Sequence, residues 1–513
     1  MRALLPTRAE ALPAMTSAAL FAISFPPFPL ILPIFIALVP VTVAVARMAD
    51  GSDTAKSAAR LGAWFCVLGY GCNLYWIATA LLIYTKLAFL GYAGTLIGAA
   101  PIIAATTVTL FSLRRMTRLP MALLLPPVWV VSELVFLYLG DLAFPWLPLA
   151  LGVSRTPILA QIADLSGLHG VSLWIACTTG LIADAWLMRH DWRAVALRGA
   201  ALVAMVAAVI GYGAWRMRSI ELRPLANVAV VQPNVPQEEK WQAENRGRIV
   251  GMLASLTRQH LQRDDAQLLL WPEAALPGFF SNQYGWADTL AALTRVNGTP
   301  ILFGVLDVDF YSREDYDYYN AAMLADSLGG VHQDDAYHKS YLVPVVERVP
   351  FINPDWFQGL KYFGGYSRGG DPELMELPFG QLGVLICYES IFPQRSRLYR
   401  RNGADLIVNI TNDAWFGRSL APHQHLAHLA LRAIETRLGI ARAANTGISG
   451  YIDPLGRMHG TTGLFVTDTR TYQTHTTSAG TLYVRIGNWV GIASVAFVAL
   501  ALLIGRARRR GQP

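Results

Sequence analysis

The stretch Gly383-Val-Leu-Ile-Cys-Tyr-Glu-Ser390 places one thiol where an apolar run stops. A strand ending this way delivers its last side chain to the rim of a sheet. A thiol there can act as a nucleophile, and it can equally be a packed strand-end cysteine, because free cysteine is among the most buried residue types. Two other stretches bring acid–base groups to comparable positions. Leu268-Leu-Leu-Trp-Pro-Glu273 is a short apolar strand stopped by proline, so Glu273 is expected to emerge at its rim, although an isolated W-P-E carboxylate is more often a surface loop residue. Tyr337-His-Lys-Ser-Tyr-Leu-Val-Pro344 sets Lys339 among aromatic neighbours that partly desolvate it, and Glu347 follows it in the chain.

Cys387, Glu273 and Lys339 are the types that acyl transfer requires. The thiol needs a base, the tetrahedral intermediate a fixed positive donor, and the leaving group a proton. No histidine is required, because burial can raise a glutamate into the range of a useful base. Glu347 can orient Lys339 through a charge-assisted hydrogen bond, or simply pair with surface charges such as Arg348. Tyr388 and Glu389 flank the thiol. His332, His338, His423 and His425 show no metal-ligand spacing, so neither metal nor other cofactor is expected.

The elements that position these groups divide the chain in two. Of 513 residues, 53% are hydrophobic and 15% charged, with a mean hydropathy of +0.36. A soluble domain carries about 25% charged residues, so much of this chain sits outside water. Eight apolar windows can span a bilayer, near 9–25, 27–47, 61–84, 88–112, 119–139, 166–188, 195–215 and 487–505. The first two, short and proline-bearing, are also compatible with a re-entrant pair, and no cleavable signal peptide is evident. Arg47, Lys56 and Arg60, then Arg114, Arg115 and Arg118, then Arg189, Arg193 and Arg198, and finally Arg506 to Arg510 fall in alternate loops. This pattern puts both termini in the cytoplasm and the segment between spans seven and eight outside. The net charge of +7 is therefore one of membrane-flanking anchors, and no nucleic-acid partner is expected. Glu133 and Asp184 fall within spans, where carboxylates are costly and often functional, although Asp184 can also reach the interface. The outside loop Phe144-Pro-Trp-Leu-Pro148 suits an interfacial aromatic.

From about 220 to 486 short β-branched runs (Asn227–Gln232, Gln267–Trp271, Thr299–Gly304, Gly383–Cys387, Asp405–Asn409) alternate with helical stretches such as Gln242–Gln262 and His423–Ile440. The expected organisation is a membrane domain over 1–215 with about seven spans, an extracytoplasmic α/β sandwich over 220–486, and a last span with a basic tail over 487–513. Of four cysteines, three (Cys66, Cys72, Cys177) lie in spans, which leaves Cys387 alone in the external domain. A lone thiol outside the cytosol has no disulfide to explain it, which favours chemistry.

In the contexts W-P-E, Y-H-K-S-Y-L-V-P and L-I-C-Y-E, Glu273, Lys339 and Cys387 resemble the Glu-Lys-Cys triad of the nitrilase (carbon-nitrogen hydrolase) superfamily. With its membrane part, the chain resembles the apolipoprotein N-acyltransferase family of bacterial inner membranes. Further matches are Val231-Gln-Pro-Asn234 with Trp241, Val343-Pro344 with Glu347 and Val349-Pro350, Asn409-Ile-Thr-Asn-Asp-Ala-Trp-Phe416, Arg442-Ala-Ala-Asn-Thr-Gly447 and Phe144-Pro-Trp-Leu147. The resemblance implies an αββα nitrilase-like sandwich and a multi-pass helical domain. It also implies transfer of a fatty acyl chain from a membrane glycerophospholipid, by way of a cysteine thioester, to the amine of a diacylglyceryl-cysteine apolipoprotein. Tyr388, Glu389 and Trp241 become supporting residues. Because extracting acyl chains into water costs about 0.8 kcal/mol per CH₂, the site is expected to open at the bilayer surface. Aromatic residues that can line it are Phe279, Phe280, Tyr284, Trp286, Trp356, Phe357, Tyr362, Phe363, Trp415 and Phe416, against a core-packing role for about half of them. A mobile loop is expected at Gly364–Gly370.

Two rival readings remain at this stage. One is a membrane-anchored amidase or nitrile hydrolase with water as acceptor, for which one anchor would suffice. The other is a transporter or binding protein with an inert nitrilase-like domain; the chain lacks the paired broken helices of a transport site.

Overall fold

The structure is a computed structural model that describes residues 5–82, 88–282, 285–312, 316–350 and 365–510. It separates into a helical unit (up to Leu139, Ala143–Ser219 and from Arg485 on) and a sandwich unit (Ile220–Val484 with Gly140–Leu142).

In the helical unit five of the described helices are long and apolar enough to cross a membrane: Leu32–Asp50, Ala88–Thr117, Ala163–Leu187, Trp192–Ser219 and Trp489–Ala507. Met121–Leu137 and Arg8–Ala22 are shorter, and Ala55–Leu74 carries Lys56 and Arg60 in its opening turns. Small residues set the helix spacing, since a Cβ on Gly180 would lie 2.5 Å from Ala122 Cα and one on Gly62 would lie 2.8 Å from Ile103 O. Both span carboxylates satisfy main-chain donors. Asp184 accepts from Met121 N and Ala122 N (2.9 and 3.0 Å), two otherwise orphaned donors at the start of Met121–Leu137. Glu133 accepts from Leu149 N (2.8 Å) and Trp129 Nε1 (3.1 Å) and so anchors the end of the Phe144–Pro148 loop. Trp146 in that loop is packed within the unit, 5.5 Å from Phe144 and 4.8 Å from Trp76, instead of lying exposed as an interfacial anchor.

Among the described residues the sandwich unit has twelve strands: β1 Arg223–Gln232, β2 Leu268–Leu270, β3 Ile301–Phe310, β4 Tyr316–Ala325, β5 Val331–His338, β6 Met375–Leu377, β7 Gly380–Ile386, β8 Leu406–Thr411, β9 Gly439–Ala444, β10 Gly450–Ile452, β11 Met458–His459 and β12 Asp468–Thr476. They form two six-stranded sheets, β12-β1-β2-β3-β4-β5 and β11-β10-β9-β8-β7-β6. In each sheet three central strands are parallel (β1, β2, β3 and β7, β8, β9) and the flanking pairs antiparallel.

Alternation along the central strands explains the layers. Ala229, Val231, Leu269, Trp271, Ile301 and Phe303 pack with Ile249, Leu253, Leu290 and Leu293 from helices Arg246–Leu261 and Trp286–Asn297. Leu385, Ile407 and Ile440 pack with Tyr399, Leu426, Leu429 and Ala433 from helices Pro393–Arg401 and Ala421–Thr436. The intervening residues Val228, Val230, Leu268, Leu270, Val384, Ile386, Val408 and Ile410 are equally buried, so the sheets face one another between helical layers. The unit is the expected αββα sandwich. Strands covered on both faces read as unbroken apolar runs, which is why the parallel strands are the ones evident in the sequence.

Candidate active site

Strand ends bring the chemistry together. Glu273 follows β2, Lys339 follows β5, Cys387 follows β7 and Asn412 follows β8. Of these strands β2, β7 and β8 are parallel ones, and ligand sites in α/β sheets lie at the carboxyl ends of parallel strands. Two of these turns hold a non-glycine residue at positive φ, Cys387 itself (50°) and Ala274 beside Glu273 (47°). Such conformations cost about 1–3 kcal/mol each and persist where the surroundings over-determine them.

For Cys387 the determinant is Glu389. Its buried carboxylate accepts from Ile386 N (2.8 Å), Ser340 N and Ser340 Oγ (2.8 Å each), Tyr341 N (3.3 Å) and Tyr337 Oη (2.7 Å). One side chain therefore ties the residue before the thiol to the residues around Lys339. From the other side, His425 Nε2 lies 3.0 Å from Cys387 O and 2.9 Å from Ser390 Oγ. Its Nδ1 lies 3.0 Å from Asp413 Oδ1, and Arg442 Nη2 donates to Asp413 Oδ2 at 2.6 Å. His425 thus braces the main chain of the thiol turn. The Arg442 guanidinium and His425, outweighing burial, hold the Asp413 carboxyl well below the usual range.

Around Glu273 the groups are packed and paired. Lys339, fully buried, donates to Glu347 Oε1 at 2.8 Å and lies 3.3 Å from Glu273 Oε1. Asn320 Nδ2, from β4, donates to the same two oxygens at 2.6 Å (Glu273) and 3.2 Å (Glu347). Asn412 N donates to Glu273 Oε2 at 2.7 Å, and Val343 N to Glu347 Oε2 at 2.8 Å. Glu347 therefore faces Lys339 rather than surface cations. Burial raises the Glu273 pKa, but Lys339, Asn320, Lys240 and Asn412 N overcome it and hold the carboxyl below its ordinary value. This reverses the expected upward shift, because a buried carboxylate with this many donors is stabilised in its charged form. Lys339, opposed by burial but drawn up by Glu273 and Glu347, stays an ammonium. Burial, reinforced by Glu273, pushes the Cys387 thiol far up, so its resting form is the neutral thiol.

Tyr388 is buried against Phe392 (5.2 Å). Trp241, just after helix Gln237–Lys240, is 38% exposed. Trp415 and Phe416, half-buried, sit in the turn that follows Asn412, with Phe416 6.0 Å from His425. Trp286 and Phe280 belong to the core of the first sheet, and Phe279 meets Tyr318 at 6.1 Å. Tyr284, Trp356, Phe357, Tyr362, Phe363 and Gly364 lie outside the described residues. The rest of the expected mobile loop is pinned by main-chain bonds from Tyr366 N to Glu347 O, Ser367 N to Tyr318 O and Gly369 N to Lys339 O (2.9–3.0 Å).

The sequence reading missed Asn320, Asn412 and Lys240 as site groups. An asparagine amid the apolar half of β4 was a usable signal, since buried amides need partners. Lys240, within Gln237-Glu-Glu-Lys240, reads as an ordinary surface charge run.

Comparison with known proteins places this chain in a family. Residues 227–480 match the family "Carbon-nitrogen hydrolase" and residues 17–181 the "Apolipoprotein N-acyltransferase N-terminal domain". An apolipoprotein N-acyltransferase of Geobacter metallireducens is 33% identical over 96% of this chain and 95% of its own. The chain belongs to the apolipoprotein N-acyltransferase family. A second relative of that name, from Methylococcus capsulatus, is 34% identical over 75% of this chain and 74% of its own. Among solved structures, an amidase from Nesterenkonia sp. AN1 aligns at 18% identity and a TM-score of 0.36, over 51% of this chain and 95% of its own. The chain is thus a membrane-associated acyltransferase of the nitrilase superfamily.

Proposed function

We propose that this protein transfers a fatty acyl chain from a membrane glycerophospholipid to the N-terminal amine of a diacylglyceryl-cysteine lipoprotein, through a thioester on Cys387. The observation that carries the reading is the single thiol of the sandwich unit, held at positive φ beside a buried Glu273–Lys339–Glu347 cluster, in a member of this family.

Geometry and charge supply two half-reactions. In the first, the Cys387 sulfur attacks the phospholipid ester carbonyl as its proton passes to Glu273 Oε. The thiol is raised and the carboxyl lowered, so this transfer runs uphill alone and is coupled to attack. Lys339, held by Glu347, with Tyr388 N–H, stabilises the oxyanion. Collapse breaks the ester C–O bond, Glu273 returns its proton to the leaving alkoxide, and a lysophospholipid departs. In the second, the neutral lipoprotein amine attacks the thioester, Glu273 takes one N–H proton, and collapse breaks the C–S bond and restores the thiol. Glu389 and Tyr388 support the turn, and Trp241, Trp415 and Phe416 contact the substrates.

In this reading, residues 220–486 lie on the periplasmic side of the bacterial inner membrane, residues 1–215 and 487–513 carry the spans, and both termini are cytoplasmic. The test is stoichiometry in detergent micelles. Purified protein should acylate a synthetic diacylglyceryl-cysteine peptide with release of one lysophospholipid per peptide, and an N-acetylated peptide should remain unmodified. Free fatty acid released without peptide acylation would instead establish a hydrolase.

A further inference from the structure

The mechanism above uses one ammonium, and the site holds a second. Lys240, the last residue of Gln237–Lys240, is 2% exposed, and among the described residues its one hydrogen-bond acceptor is the main-chain oxygen of Glu273, at 2.9 Å. An ammonium has three N–H donors, so two of them are buried with no acceptor among the described residues. A lone neutral acceptor does not offset the burial of a charge, so Lys240 is a poor choice for stability alone.

The groups that face Lys240 are those of the reaction. Glu273 comes from the turn after β2 and Cys387 from the turn after β7, and both act electrostatically on it. Behind Glu273 stand Lys339 and Glu347. On its own helix Glu238 is exposed, Glu239 pairs with Arg248, and Gln237 Oε1 accepts from Asn412 Nδ2 at 2.9 Å, the residue whose N–H holds Glu273 Oε2. The segment is therefore fastened to the Glu273 cluster at two points.

We propose that Lys240 is a second positioning cation for thioester formation, fixing the Glu273 main chain and lending its charge to the Glu273–Cys387 pair while the sulfur attacks. This rests on the reading that Cys387 and Glu273 carry acyl transfer. Lys240 neither gains nor loses a proton in the step, so the balance given above is unchanged. Burial, opposed by Glu273 and Cys387, pulls the Lys240 ammonium down to about 8. The helpful charge is present below that pH and lost above it, whereas a packing role is indifferent to pH. Lys339, drawn the other way, keeps its charge throughout.

The test is the rate of thioester formation with phosphatidylethanolamine in detergent micelles and no peptide, which keeps the lipoprotein amine out of the titration. Wild type and the Lys240→Arg and Lys240→Met variants are compared from pH 6.5 to 9.5. Expected for wild type is a fall to about half near pH 8 and about one-tenth near pH 9, as the ammonium titrates. Normalised to its own rate at pH 7, Lys240→Arg should lack that fall, and Lys240→Met should be slower than wild type at pH 7 by about tenfold or more. A wild-type profile level through pH 9 overturns the proposal by itself, as does an arginine profile that superimposes on it. Cys387→Ala separates the two layers: acyl mass gained by that variant breaks the acyl-transfer reading, while an inert Cys387→Ala beside a level wild-type profile breaks only this inference.

Discussion

Replacing Glu389 by glutamine changes one atom in the buried network that ties the thiol turn to the lysine segment. Glu389 Oε1 serves Ser340 N, Ser340 Oγ and Tyr341 N, while Oε2 serves Ile386 N, and Tyr337 Oη reaches both oxygens. A glutamine oxygen can replace only one of them. With its oxygen toward Ser340, its NH₂ faces the Ile386 N–H, so a charge-assisted bond is lost and a buried donor is left unpaired. A hydrogen bond to a charged group contributes about 1.5–3 kcal/mol, and an unpaired buried donor costs about 1–3 more, which together give about 2.5–6 kcal/mol. At about 2–4 °C per kcal/mol for a unit of this size, the melting temperature should fall by about 5–24 °C. Tyr337→Phe removes one donor and leaves the carboxylate, so its loss should be about 3–12 °C. Because Ile386 directly precedes Cys387, Glu389→Gln should also slow thioester formation by about 10², the cost of roughly 1 Å of misplacement. Thermal unfolding by intrinsic fluorescence and single-turnover acylation measure the two effects. A Glu389→Gln protein that melts within about 2 °C of wild type and acylates at the wild-type rate would refute the assignment of this network to the thiol turn.

Gly304→Ala would place a Cβ 2.5 Å from Ala274 N, 2.6 Å from Glu273 Cα and 2.7 Å from Pro272 O, all main chain, and should lower thioester formation by about 10². Gly251→Ala, on a helix face with open space around it, should match wild type in the same assay. Glu347→Gln leaves Lys339 with Glu273 as its remaining carboxylate and should slow thioester formation by about 10²; an unchanged rate would dispose of its role. With Cys66, Cys72 and Cys177 replaced by serine, Cys387 should react with iodoacetamide more slowly than a cysteine peptide at pH 7–8. Its rate should still be climbing past pH 9, because a raised thiol pKa lowers the thiolate fraction at neutral pH. Faster alkylation than the peptide at pH 7 would show that the resting group is a thiolate.

The central strands and the acid–base residues at their ends were legible in the sequence, and the reason is burial. Gly383 to Ile386 and Leu406 to Val408 are covered on both faces, so they appear as apolar runs that stop where the chain reaches the rim. Antiparallel strands such as β4 and β12 mix tyrosine, threonine and charge, as in Tyr-Asp-Tyr-Tyr-Asn320, and carry no comparable signature. The helix expected over His423–Ile440 ends at Thr436, because Arg437 adopts φ 55° and turns the chain into β9, a stop usually marked by glycine. Site residues that act through the main chain or through long-range charge, His425 and Lys240, stayed hidden because their roles depend on which strand end they meet.

The most direct test of the account is the intact mass of the purified protein after incubation with phospholipid alone, wild type against Cys387→Ala. The account predicts one added fatty acyl mass on wild type, none on the variant, and discharge of that mass by a diacylglyceryl-cysteine peptide far faster than by water. No adduct on wild type, an adduct that survives Cys387→Ala, or equal discharge by water would contradict it.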